Sequence, residues 1–88
     1  MRKGKWIIIT SPYDDETDNY EIGDFGRVVG YKNNQVDYRA VQFVRVLNHL
    51  GFEGECCWNV SPDECMVLSK TMKQDEVKAL ADIIKGNV

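Results

Sequence analysis

A glycine-rich turn running straight into β-branched residues leaves a chain few folds, and Tyr20-Glu21-Ile22-Gly23-Asp24-Phe25-Gly26-Arg27-Val28-Val29-Gly30 is such a stretch. Its Gly-Asp-X-Gly pattern supplies a tight turn, and the two valines that follow fit a pleated surface. Together they mark where the chain enters a strand of a tightly curled small barrel. The information concerns shape, because nothing comparable in the sequence marks a reaction.

The other elements fall around that turn. Trp6-Ile7-Ile8-Ile9-Thr10, bounded by Pro12, reads as the first strand. Residues 11–24 hold six acids and no base, a composition that suits a long exposed loop and not a core element. Arg27 to Lys32 forms the second strand, closed by Asn33-Asn34 as a hairpin turn. Tyr38 to Val46 is the third, with neither face purely polar, and Asn48 to Gly54 is a loop. In Glu55 to Val60, a fourth strand, Cys56, Trp58 and Val60 alternate in step; Ser61-Pro62-Asp63-Glu64 is a single helical turn before the apolar run Cys65 to Leu68.

A helix is expected over residues 71–85. Thr71 and Gln74 are spaced for reciprocal capping, Val77, Leu80, Ala81 and Ile84 recur at helical spacing, and Gly86 stops the run. The apolar stripe has to cover something, either an open side of the chain's own sheet or a partner. At 88 residues, 43% of them apolar, the chain is expected to be one domain over 1–88 without room for a deep enclosed active site. No apolar run approaches the length that crosses a bilayer, so the expected setting is cytoplasmic.

The order of a strand, a long acidic loop, Gly23-Asp24-X-Gly26-X-Val28-Val29, an apolar strand and then Trp58-X-Val60-X-Pro62 leading to Leu68 resembles the small SH3-like barrels of bacterial and phage proteins. The resemblance covers about residues 5–69. It implies a mainly β fold, a small SH3-like five-stranded barrel with a C-terminal α-helix. That architecture hosts many unrelated tasks. The peptide-binding branch of the family carries paired tryptophans beside its groove, and this chain lacks that pair.

Reaction chemistry finds little to stand on. Cys57 and His49 are a thiol and a base that nothing in the sequence brings together. Cys56, Cys57, Cys65 and His49 make a poor zinc set, since adjacent strand residues point to opposite faces. The acids between Asp14 and Glu21 lack the fixed donor spacing of a calcium loop. The reading is therefore a noncatalytic protein-interaction module without cofactor or metal, such as an accessory protein modulating a larger machine. Asp14, Asp15, Glu16 and Asp18 would steer a basic protein partner, and Tyr13, Tyr20 and Trp58 would desolvate the contact. The alternative is single-stranded nucleic-acid binding through Arg27, Lys32 and Arg39, with Tyr31 as a stacking ring. A third reading is a structural subunit whose helix docks on another chain.

Overall fold

A computed structural model describes residues 3–12, 20–31, 39–45 and 57–86. The elements are β1 (Trp6–Ile9), β2 (Phe25–Tyr31), β3 (Arg39–Arg45), β4 (Cys57–Val60), a 3-10 turn at Pro62–Glu64, β5 (Cys65–Leu68) and α1 (Gln74–Lys85). The strands form one sheet in the order β4-β3-β2-β1-β5. All its pairings are antiparallel. The expected loop tip at residues 13–19, the Asn33-Asn34 turn and the loop of residues 48–54 lie outside the described residues.

The sheet is open, which corrects the expected closed SH3-like barrel. Closure needs a ladder between β4 and β5, and among the described residues β4 pairs with β3 while β5 pairs with β1. The sheet is nevertheless curled, as chain length demands. Edges of a flat five-stranded sheet would stand about 19 Å apart, at about 4.8 Å per strand. The link between them is Ser61 to Glu64, mostly a 3-10 turn, which reaches only about 13 Å. The edges must therefore approach each other at that end. Val60 and Cys65, on either side of the link, pack on the same apolar cluster of Ile7, Ile9, Val28, Val41 and Phe43.

The second face of the sheet is also dry. Alternation along β1 sends Ile7 and Ile9 into the curl and Trp6 and Ile8 to the opposite side. There they meet Phe25, Val77 and Ala81, with Leu68, Leu80 and Ile84 packed around them. All four residues of β1 are thus buried. The helical stripe read from the sequence is used on the chain's own sheet, with Val77 and Ala81 fully buried. Burying a side chain of the size of valine is worth about 1.5–3 kcal/mol, so this face is a second core and not a decoration.

Helix α1 begins later than the Thr71–Gln74 spacing predicts. Lys73 is the cap, and Glu76 folds back to accept its backbone N–H at 2.9 Å. The Thr71 side chain is engaged instead with the Ser69 hydroxyl, 2.7 Å away. At the other end Gly86 takes a left-handed conformation and donates its N–H to carbonyls of the last turn. Among the described residues no helix is long and apolar enough to cross a membrane.

The Gly-Asp turn is where the sequence placed it. The Asp24 N–H donates to the Glu21 carbonyl at 3.1 Å, the Asp24 carboxylate accepts the Glu21 N–H at 2.9 Å, and the Gly23 N–H donates to Ile9 at 3.0 Å. Gly23 has φ +94°, and a Cβ there would sit 3.0 Å from the Lys85 Cβ. Lys85 also reaches Glu21 at 3.3 Å, so the turn and the end of α1 are packed together. Gly23→Ala should cost about 1–2 kcal/mol, since both the backbone angle and the close approach oppose a side chain, and urea unfolding would measure it.

Candidate functional site

Two constellations of polar and aromatic groups emerge. The first lies where the start of α1 meets β1, β2 and β3. Trp6 and Arg27 are register partners on adjacent strands, which places their side chains side by side on the helix-covered face. The Trp6 indole N–H donates to the Met72 carbonyl at 2.9 Å, which fixes the ring. The Arg27 guanidinium lies 4.0 Å over that ring, and one of its nitrogens donates to the Gly4 carbonyl at 3.2 Å. A cation held over tryptophan is worth about 0.5–2 kcal/mol, and here it also covers the edge of the second core.

Around this pair runs an open groove of about 360 Å³ lined by Trp6, Arg27, Phe43, Val44 and Gln74. Val44 reaches it through a bulge. Phe25 pairs with Arg45 and Gly26 with Phe43, so Val44 is the extra residue on β3 and stands 47% exposed. The groove is therefore bounded by two buried aromatic residues, Trp6 and Phe43, by a cation, by an exposed aliphatic side chain and by the first residue of α1. No sequence pattern announced it, because the five residues come from four separate elements. The bulge at Val44 had no signal of its own.

The second constellation is internal. Glu64 is 1% exposed, yet its carboxylate is well served: one oxygen accepts the Ser61 N–H at 3.0 Å and the other the Tyr20 hydroxyl at 2.8 Å. Its carbonyl accepts the N–H groups of Thr10 and Ser11 at 2.9 and 3.0 Å. The Tyr20 ring stacks on Phe43 with centroids 5.4 Å apart. A buried carboxylate is tolerable only when hydrogen-bonded in this way, and the result ties the Pro62–Glu64 turn to β1 and to the strand-side end of the acidic segment. Cys65 donates its thiol hydrogen to the Ser61 carbonyl at 3.7 Å. Burial first, and then the Glu64 carboxylate, raise that thiol from 9.0 to about 11.

Of the residues expected to meet a protein partner, Tyr20 is half-buried and joined to Glu64. Trp58 occupies the β4 position opposite Val41. Tyr13, Asp14, Asp15, Glu16 and Asp18 lie outside the described residues. Of the alternative nucleic-acid set, Arg27 is on the groove, Tyr31 and Arg39 are register partners between β2 and β3, and Lys32 lies outside the described residues. Among the described residues no group of three or more His, Cys, Asp or Glu side chains is placed to hold a metal ion. No protein-family model, curated protein or solved structure matches the chain.

Tyr20→Phe should destabilise the fold by about 1–3 kcal/mol, because it leaves a buried carboxylate oxygen without that donor; thermal or chemical unfolding would show it. The Cys65 thiol should carry about a hundredfold less thiolate at a given pH than an ordinary cysteine, and peptide mapping after alkylation of the native protein should find it slow to label. Since its folded value lies above the unfolded one, the unfolded chain loses this proton first. Stability from this group is present below about pH 9 and declines as pH rises toward 11, a trend that melting temperatures across that window would report.

Proposed function

We propose that this chain is a noncatalytic protein-interaction module whose contact is centred on the groove of Arg27, Val44 and Gln74. The observation that carries the reading is the guanidinium of Arg27 held 4.0 Å over the Trp6 ring at the rim of an open, partly apolar groove. Arginine held by stacking has already lost much of its freedom, so a partner carboxylate that pairs with it has less entropy to overcome. The exposed Val44 gives an adjoining apolar side chain somewhere to be desolvated. The start of α1 adds the positive end of a helix dipole on the same side. An acidic residue next to an apolar one is accordingly the partner feature that fits.

The acids Asp14, Asp15, Glu16 and Asp18 act in this reading at longer range, by orienting the approach of a partner and not by forming the contact. Arg27→Ala combined with Val44→Asp should reduce retention of a captured protein partner at least tenfold while the protein still unfolds cooperatively, its stability lowered by about the 0.5–2 kcal/mol of the lost contact on Trp6. Neutralising the four acids should slow association and flatten its salt dependence with less effect on dissociation, as surface plasmon resonance would record. The capture is run with nuclease. Retention indifferent to the Arg27 and Val44 changes would remove this groove from consideration, and capture abolished by nuclease would favour the nucleic-acid reading through Arg27, Tyr31, Lys32 and Arg39.

A further inference from the structure

The outer edge of β5 is built in an unusual way. Hydrogen bonding fixes which of its backbone groups face β1 and which face away. The Thr10 N–H donates to the Glu64 carbonyl, so the ladder at that step is of the hydrogen-bonded kind. Antiparallel ladders alternate, which makes Ile8–Met66 and Trp6–Leu68 hydrogen-bonded pairs and leaves Ile9–Cys65 and Ile7–Val67 as the other kind. Strand β1 agrees from its own side: the N–H and C=O of Ile9 go to Asp24 and Gly23, away from β5. The N–H and C=O of Val67 therefore point out of the sheet, and among the described residues neither meets a backbone partner.

An edge of this kind is ordinarily blunted by charge or proline, and Cys65-Met66-Val67-Leu68 has neither. Both its faces are also half-open and apolar. Met66, on the helix side, is 40% exposed and Val67, on the other side, 39%. A strand laid along this edge would satisfy the outward backbone groups and cover both side chains together.

We propose that the occupant is a second copy of this chain, paired antiparallel through β5 about a two-fold axis at Val67. That axis is the one that uses the outward groups. Val67 of each copy donates to and accepts from Val67 of the other. Met66 then lies opposite Leu68 of the second copy on the helix side, so the two apolar faces continue across the join. The flanks are complementary in charge as well. The same register sets the exposed acid Asp63, just before β5, opposite Thr71 of the second copy, one residue from its exposed Lys70, and this occurs at both ends. A foreign peptide would fill the backbone groups equally well but has no built-in match to Asp63 and Lys70.

Sedimentation velocity over a wide concentration range tests this, with Val67→Pro as the decisive variant. Its missing N–H is not one that the ladder to β1 uses, so the fold is retained, as circular dichroism and an unfolding curve would verify. The expected result is a mass that rises to twice the chain mass with concentration in the unaltered protein and stays at one chain in Val67→Pro. Lys70→Glu should weaken the dimer several-fold, and adding Asp63→Lys to it should restore the affinity. The Arg27→Ala, Val44→Asp protein should dimerise normally, which separates this edge from the groove proposed above. A concentration-independent single-chain mass overturns the proposal. So does a dimer indifferent to both Val67→Pro and the charge exchange, or an edge that takes up a foreign extended peptide while the protein alone stays monomeric.

Discussion

The structure depends on a four-residue strand that is dry on both sides. Trp6, Ile7, Ile8 and Ile9 are buried throughout, two of them inside the curled sheet and two beneath α1. Each additional element acquires its place by reference to this strand. Strand β2 supplies Phe25 and Arg27 next to Ile8 and Trp6, β5 supplies Leu68 on the other side, and α1 closes the face with Val77 and Ala81. The outer side of this sheet is a second core buried under the helix, and β4 and β5 are left as edges.

The two polar constellations serve this arrangement in different ways. Glu64 joins the turn between β4 and β5 to β1 and to Tyr20, holding the curled end of the sheet with a carboxylate whose oxygens are occupied by donors. Arg27 covers the other end of the second core by lying over Trp6, and in doing so it places a cation at a surface groove. The internal site stabilises and offers nothing to solvent. The groove is the part that faces outward, and it exists because a bulge on β3 turns Val44 toward solvent beside it.

Much of the local structure was legible in the residues. The Gly23-Asp24 turn, the apolar strand at Trp6, the Ser61–Glu64 turn and the stripe of Val77, Leu80, Ala81 and Ile84 all stand where spacing and turn chemistry put them. These signals are local, acting over one to four residues. Closure was misread because it is settled between β4 and β5, which are adjacent in sequence but at opposite edges of the sheet. The Thr71 cap was misread because Thr71 found a nearer partner in Ser69 and the helix start passed to Lys73. The groove was not legible at all, since Trp6, Arg27, Phe43, Val44 and Gln74 share no periodicity.

By itself the sequence determined a mainly β chain with one C-terminal helix, the site of its sharpest turn, and which helix face is apolar. Those follow from backbone conformational preferences and from the periods of strand and helix, which each short segment carries alone. Tertiary structure alone decided that the helix covers the chain's own sheet, that the sheet remains open, and that Arg27 lies on Trp6 at a groove. These outcomes depend on which buried surfaces meet, and the free energy of burial belongs to pairs of distant segments and not to either one.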